Sequence, residues 1–287
     1  MLEAQARRRQ QRSGLLLALP AIIWLGLFFL LPLGIVGVFS FLTREAAGIV
    51  SLPFTLEHYE RTFGVFSVVL WRSVWISVVS TVICLLIGYP LAFFIATRQN
   101  NWVRQLCLFM VVLPFWTNFL VRTYAWRILL GDQGTINAIL QGLGLIDAPL
   151  TLLNTPFAVI LGLVYGFLPF MVLPIYASVD RFDFKYVDAA HDLGANDIKA
   201  FFRVVLPMTL PGVFAGSALV FIPCVGAFVT PDLLGGTQGL MIGNLISRQF
   251  GQSLNLPLGS ALSVTMMLIV MVALLAYVRL GNRRLGG

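Results

Sequence analysis

The chain has 287 residues, of which 59% are hydrophobic and only 11% are charged. With a mean hydropathy of +0.90, this composition excludes an ordinary soluble domain and is typical of an integral membrane protein. The formal charge is +7, but the basic residues flank apolar runs, which favours membrane lipid over nucleic acid as a partner. The three cysteines lack CxxC spacing, so the sequence predicts neither a disulfide nor a metal site.

Six apolar segments predict an all-α integral membrane fold with six transmembrane helices. A basic head, residues 1–13, precedes the first segment, which is too long for a secretory signal and lacks a small-residue cleavage site. The third segment is shorter than the roughly 20 residues of a straight span and contains Pro114, so the number of spans becomes five if this segment is re-entrant. In this interpretation, residues 14–287 form a single transmembrane domain. The predicted spans are about 15–39, 68–96, 105–122, 156–179, 212–232 and 258–280.

The distribution of positive charge predicts the orientation of these helices. Most of the 19 lysine and arginine residues fall in the two termini or in segments that share their side of the membrane. Under the positive-inside rule, both termini are therefore predicted to be cytoplasmic. The segments 43–67, 132–155 and 233–255 then become external loops.

One polar segment, residues 180–207, separates the fourth and fifth predicted spans. From Asp180 to Arg203 it contains five aspartates, two lysines, two arginines and a histidine. Because each ionisable side chain is costly inside a bilayer, this polar segment must face water. The positive-inside rule places it in the cytoplasm.

The polar segment is predicted to form two short helices. Asp183 or Asp188 suits the start of the first helix, where a carboxylate meets free backbone N–H groups. Gly194 permits the left-handed turn that ends it. Asn196 or Asp197 then caps the second helix.

The spacing within the polar segment resembles the EAA loop of the permeases of ABC importers. In that family the loop begins with Glu-Ala-Ala and ends with Ile-x-Leu-Pro; here Asp188 replaces the glutamate and Val204 the isoleucine. The family's loop is a coupling helix that docks in a groove of a cytoplasmic ATPase subunit. The resemblance therefore implies a cytoplasmic coupling helix between the fourth and fifth spans. The residues that it implies for ATPase coupling are Asp188, Ala189, Ala190, Asp192, Gly194, Val204, Leu206 and Pro207.

Three further stretches, residues 113–130, 228–236 and 241–250, resemble permeases of the spermidine/putrescine importer subfamily, and in particular the first of its two permease subunits. Such importers combine two permeases, two ATPase subunits and an external binding protein. The resemblance therefore implies a heterodimer with a second permease subunit, two copies of a cytoplasmic ATPase and a periplasmic solute-binding protein. It also implies the inner membrane of a bacterium.

The sequence contains no residue pattern of an enzyme. It has no GxxxxGK[ST] phosphate loop, so ATP and Mg²⁺ are expected on the partner ATPase and no cofactor is expected in this chain. Neither a metal-ligand cluster nor a nucleophile–base pair is evident. His58 and His191 are isolated and fit surface histidines better than catalysts.

A polyamine is a flexible polycation, so its path requires carboxylates, aromatic faces and carbonyl or amide oxygens. The candidates are Trp116, Asn118, Tyr124 and Trp126 on the third span and Phe228, Thr230 and Asp232 on the fifth. Tryptophan and tyrosine are also typical of membrane-interface belts, and Asp232 could instead cap backbone or pair with an arginine. Arg122 and Arg127 would repel a polyamine unless they pair with Asp132 or Asp232, or receive an acidic surface of the binding protein.

Other functions stay open at this point. An ABC-importer permease for another small organic solute, such as an amino-acid derivative, fits the same sequence features. A secondary carrier would need paired acidic residues at the membrane midplane, and none of the 12 carboxylates lies at the centre of a predicted span. A membrane scaffold would need no ATPase partner. The substrate, and whether the partner permease is a different chain or a second copy, are left undetermined by the sequence.

Overall fold

The computed structural model describes residues 18–46 and 48–285, so the basic head predicted for residues 1–13 lies outside the described residues. The fold is mainly helical, as predicted. The helices are α1 (Ala18–Phe39), α2 (Glu57–Phe63), α3 (Ser67–Ala96), α4 (Asn101–Trp116), α5 (Phe119–Leu130), α6 (Thr135–Gly142), α7 (Pro156–Asp180), α8 (Lys185–Asp192), α9 (Asp197–Val225), α10 (Val229–Leu234), α11 (Ile242–Gly251) and α12 (Leu256–Leu285).

The described residues divide into two compact units. The first comprises the described part of residues 1–65 together with Arg248–Thr265, and the second comprises Phe66–Ser247 together with the described part of residues 266–287. All the residues predicted to couple to an ATPase or to line a path lie in the second unit. The single transmembrane domain predicted for residues 14–287 stays a prediction.

The first unit contains a β-hairpin that the sequence analysis interpreted as part of an external loop. Strands β1 (Leu42–Ala46) and β2 (Ile49–Phe54) pair antiparallel, with Leu42 opposite Phe54. The turn between them passes through Gly48, whose φ of +80° suits a glycine. The prediction missed the hairpin because its strands are short and only partly apolar.

His58 was predicted to lie at the surface, but the structure shows it buried. Its side chain is only 4% exposed, and its Nε2 lies 3.0 Å from the carbonyl oxygen of Leu42 at the start of β1. Close by, the Tyr59 hydroxyl donates to Ser40 Oγ over 2.8 Å. Both contacts attach α2 to the chain that leads from α1 into the hairpin.

Among the described residues, five helices are long and apolar enough to cross a membrane, and the number rises to six if the bent pair Asn101–Trp116 and Phe119–Gly142 counts as one span. The third predicted span, 105–122, is not one straight helix. It is divided between α4 and α5, and the direction of Phe119–Gly142, which begins with α5, differs from that of α4 by 90°. The break follows Pro114, which fits the short length and the proline noted in the sequence.

The fifth predicted span, 212–232, starts and ends further along the chain than the helix that the structure shows there, Asp197–Val225. Helix α9 already starts at Asp197, inside the polar segment, and Gly226 caps its end. The prediction treated the second short helix of the polar segment and the fifth span as separate helices, with Pro207 at the entry into the span. Instead, α9 contains a π turn at Phe201–Val205, in which the N–H of Leu206 donates to the carbonyl five residues earlier. This wider turn lets the helix continue through the proline.

The core of the second unit lies where α3, α7 and α9 pack together. Fully buried side chains from all three helices fill it, including Ile76, Met171 and Val220. Glycines allow the helices to approach closely: a Cβ at Gly216 would lie 2.9 Å from Met171 Sδ and 3.0 Å from its carbonyl oxygen. Small residues serve this purpose in membrane helix packing, where lipid supplies no hydrophobic driving force between helices.

We predict that Gly216→Leu destabilises this core. The added side chain has no space between α9 and α7, and overpacking of this kind costs about 1–3 kcal/mol. Thermal unfolding of the detergent-purified protein should shift to lower temperature. The control is Gly37→Leu in α1, where a Cβ meets no described atom within 4 Å. Equal unfolding temperatures for the two variants would contradict the close packing of α9 on α7.

Candidate functional site

The polar segment has the turn and the helix starts that its sequence predicts, but its second helix is the beginning of the long helix α9 and not a separate short helix. Before α8, the Asp183 carboxylate accepts a hydrogen bond from the N–H of Lys185 over 3.0 Å. After α8, Gly194 takes the left-handed conformation, with φ at +82°. Asn196 then caps α9 by accepting from the N–H of Lys199 over 2.9 Å. Of the alternatives considered, Asp183 and Asn196 are therefore the side chains that bind the free backbone N–H groups.

One ion pair joins the two sides of the Gly194 turn. His191 Nε2 in α8 lies 3.2 Å from Asp197 Oδ1 at the start of α9. Because both side chains are exposed to solvent, the pair adds little stability. It does hold the end of α8 beside the start of α9.

The polar segment exposes apolar side chains as well as charges. Leu193, between α8 and the Gly194 turn, is 90% exposed, and Ile198 in the first turn of α9 is 68% exposed. Asp188 and Ala189 are exposed beside them on α8. Large apolar side chains in water are typical of a protein docking site. Leu193 is not among the predicted coupling residues, although an apolar leucine within a charged segment of the sequence indicates a contact position.

The implied coupling residues do not form one surface. Asp188, Ala189, Ala190, Asp192 and Gly194 belong to α8 and the turn that follows it, where Ala190 is half-buried and the others are exposed. By contrast, Val204, Leu206 and Pro207 lie within α9, in and just after its π turn. The first group suits contact with a partner, whereas the second shapes the helix that leads away from it.

A second ion pair joins the ends of two helices near the polar segment. Arg104 in α4 lies 2.9 Å from Asp180, the last residue of α7, and its guanidinium also lies 5.3 Å from the ring centroid of Tyr176. The charge distribution predicted that both charged residues lie on one side of the membrane. Their contact places the start of α4 beside the end of α7.

The bend between α4 and α5 is braced by Arg122. Its guanidinium donates to the carbonyl oxygen of Pro114 over 2.7 Å, and the Thr117 hydroxyl donates to the same oxygen over 2.7 Å. Three ring centroids lie 5.5–5.9 Å from the guanidinium carbon, those of Phe115, Phe119 and Tyr165. Arg122 therefore engages a carbonyl group and three aromatic rings.

Two of the predicted path residues pack inside the protein. Trp126 makes an edge-to-face contact with Tyr165 at 5.5 Å, and Thr230 is only 2% exposed. Helix α10 packs against α5 and α7 through an apolar cluster that includes Leu130 and Leu234. The tertiary structure thus brings together the third-span and fifth-span candidate segments, which are distant in sequence.

The remaining path candidates face outward. Trp116 is 77% exposed at the end of α4, and Tyr124 is exposed on α5. Asn118 is exposed and caps α5 by accepting from the N–H of Leu120 over 2.8 Å. Phe228 and Asp232 are exposed four residues apart, which places them on the same side of α10. This exposed ring and carboxylate form the candidate cation contact.

Residues 88–285 match the family of the "Binding-protein-dependent transport system inner membrane component". The match covers more than half of the chain, and the chain belongs to this family. It is the permease subunit of an ABC importer, an inner-membrane component with several apolar helices and not an enzyme. The predicted family and location are confirmed.

The comparisons also identify similar individual proteins. The chain is 46% identical over 256 residues to the spermidine/putrescine transport system permease protein PotB of Haemophilus influenzae, covering 89% of this chain and 88% of that protein. It is 44% identical over 258 residues to the PotB protein of Escherichia coli (strain K12), covering 89% of this chain and 93% of that protein.

A solved structure confirms the fold. It is a chain in the crystal structure of a bacterial alginate ABC transporter in complex with alginate pentasaccharide-bound periplasmic protein. The TM-score is 0.75 at 18% identity, and the alignment covers 96% of each chain. The predicted ABC-importer permease fold is therefore confirmed.

We predict that Arg122→Gln destabilises the α4–α5 bend. The substitution removes a charge-assisted hydrogen bond, which contributes about 1.5–3 kcal/mol, and cation–π contacts that contribute about 0.5–2 kcal/mol. Thermal unfolding in detergent should occur at lower temperature than in the wild type. Arg127→Gln, at an exposed position of the same helix, is the control and should have the smaller effect. The reverse order would show that Arg122 does not brace the bend.

Proposed function

We propose that this chain forms part of the translocation pathway for spermidine, putrescine or a related small amine, and that its polar segment couples this pathway to a separate ATPase. The observation that carries the substrate class is the 46% identity to a spermidine/putrescine permease over 89% of the chain. The proposed partners are a second permease subunit, two cytoplasmic ATPase subunits and a periplasmic binding protein. Family membership favours this function over a secondary carrier or a scaffold.

The polar segment supports the coupling role because it offers a surface for a partner. Leu193 is the most exposed large apolar side chain there, and it lies beside the small residue Ala189 on α8. A small residue lets a partner's backbone approach, while a protruding leucine can fill an apolar groove. In protein interfaces a few side chains carry most of the binding energy, and they lie in well-packed pockets of the partner.

The Gly194 turn supports the same role through its geometry. Its φ of +82° is strained for any residue with a Cβ, and it directs the chain from α8 back into α9. The His191–Asp197 pair spans this turn at 3.2 Å. ATPase subunits that close on ATP would therefore move α8 and, through the short Gly194 turn, the start of α9.

Leu193→Asp should weaken the association of ATPase subunits with the permease. A charge in an apolar groove is costly, and we expect binding to fall by about tenfold or more, as at interface hot spots. The measurement is the amount of ATPase subunit that co-purifies with affinity-tagged permease. The matched control is Leu145→Asp, a 67% exposed leucine in a predicted external loop. Undiminished co-purification of the Leu193→Asp variant would refute docking at this position.

The amine proposal depends on α10. An ammonium group is attracted by a carboxylate and by the face of an aromatic ring, and Asp232 and Phe228 offer both on one side of this helix. The packing of α10 on α5 places them in the part of the fold that also carries Tyr124. We therefore assign Asp232 and Phe228 to the path, together with the exposed candidates Trp116, Asn118 and Tyr124. The partly buried Trp126 and the buried Thr230 position these elements.

Asp232→Asn should slow amine transport without affecting assembly. Loss of the negative charge weakens attraction for each ammonium group, so maximal spermidine uptake into proteoliposomes should fall by roughly three- to tenfold. The assay uses saturating binding protein, whose own affinity for spermidine is unchanged. Asp147→Asn, at an exposed position in the segment after α6, is the control. Equal uptake by the two variants would remove Asp232 from the path.

A further inference from the structure

Aromatic side chains connect the polar segment to the end of α3, far away in sequence. On α3, the ring of Phe93 contacts that of Phe184, which precedes α8, with 6.4 Å between centroids. Phe93 also meets Phe201 in the π turn of α9, at 6.0 Å and nearly perpendicular. The ring of Tyr89, one turn earlier on α3, lies 5.6 Å from Phe201. We call Tyr89, Phe93, Phe184 and Phe201 the aromatic joint.

A buried hydrogen bond fixes the joint to α9. The hydroxyl groups of Tyr89 and Thr209 are 2.8 Å apart, and the Thr209 hydroxyl lies 2.9 Å from the carbonyl oxygen of Val205. Because Thr209 has one hydroxyl hydrogen, which it donates to that carbonyl, the Tyr89 hydroxyl donates to Thr209. Val205 is the last residue of the π turn. The joint is therefore attached to the irregular part of α9.

The geometry gives the polar segment a lateral connection to α3. The chain itself links α8 only to α7 and α9, through the turns on either side of it. The Phe184–Phe93 contact adds a third connection, to α3, through a residue that lies 91 positions earlier in the chain. Because these rings are in contact, movement of the polar segment would act on α3 as well as on α7 and α9.

The joint also has room to change its arrangement. An open cleft of about 400 Å³ adjoins it, lined by Tyr89, Phe93 and Phe201 and also by Phe94. The rings are therefore packed on one side and have space on the other.

We propose that Phe93 is a positioning residue that carries the displacement of the polar segment to α3, and thereby couples ATP hydrolysis to transport. This proposal rests on the proposed coupling function. Phe94 provides an internal comparison: it is 43% exposed, and the Arg98 guanidinium lies 3.9 Å from its ring centroid. Two adjacent phenylalanines on one helix thus differ in their aromatic contacts: the ring of Phe93 meets Phe184 and Phe201 of the polar segment, whereas the ring of Phe94 meets Arg98.

The test compares Phe93→Leu with Phe94→Leu in the complete importer, reconstituted in proteoliposomes with its binding protein. Spermidine uptake and ATP hydrolysis are measured in the same samples. Phe93→Leu should keep the ATPase subunits bound and active but lower the amount of spermidine transported per ATP by at least about fivefold. Phe94→Leu should leave this ratio unchanged. Phe93→Tyr, which retains the aromatic ring, should transport as much spermidine per ATP as the wild type.

Two outcomes overturn the proposal: an unchanged ratio for Phe93→Leu, or an equal loss for Phe94→Leu. If Phe93→Leu does not fold, Phe184→Leu replaces the other ring of the same contact, and it must lower the same ratio. The failure of the underlying coupling function looks different. In that case Leu193→Asp leaves the ATPase attached and transport intact, whatever the behaviour of the Phe93 variants.

Discussion

A peptide group in the hydrocarbon region must satisfy its N–H and C=O within the protein, because lipid offers neither a donor nor an acceptor. Long helices meet this requirement by themselves, and the breaks in this chain meet it by specific means. At the α4–α5 bend, Arg122 and Thr117 both donate to the carbonyl oxygen of Pro114. In the polar segment, which is predicted to lie outside the hydrocarbon region, a π turn ahead of Pro207 keeps α9 continuous. The bend and the π turn lie next to the candidate path and the polar segment, so the irregular backbone coincides with the proposed function.

The polar segment is exposed where a partner would bind and packed where it meets the helices. Leu193 protrudes into solvent at 90% exposure, whereas Phe201 lies against Tyr89 and Phe93 of α3. A docking element needs both properties, since a loose segment would move without displacing the spans. The charges identified in the sequence keep this segment in water, but the aromatic rings connect it to the core.

Arg122 and Arg127, at and just after the end of the third predicted span, carry positive charges that would repel a polycation. The structure explains how one of them is accommodated: Arg122 engages a carbonyl oxygen and three ring faces, which occupies those faces and offsets part of its charge. The rings around Arg122 are therefore poor candidates for binding an amine. Exposed groups such as Phe228 and Asp232 on α10 are the better ones.

The sequence by itself determined the membrane class and the mainly helical fold, and it narrowed the caps of the polar segment to two alternatives each, because hydropathy and capping act over a few residues. It also indicated the break near Pro114. Only the tertiary structure decided that α9 continues through Pro207, that α10 packs on α5, and that Phe184 meets Phe93. The hairpin at Leu42–Phe54 and the burial of His58 likewise depend on partners elsewhere in the chain. Contacts between residues far apart in sequence leave no local pattern, because the energy that selects them is gained only when the helices pack.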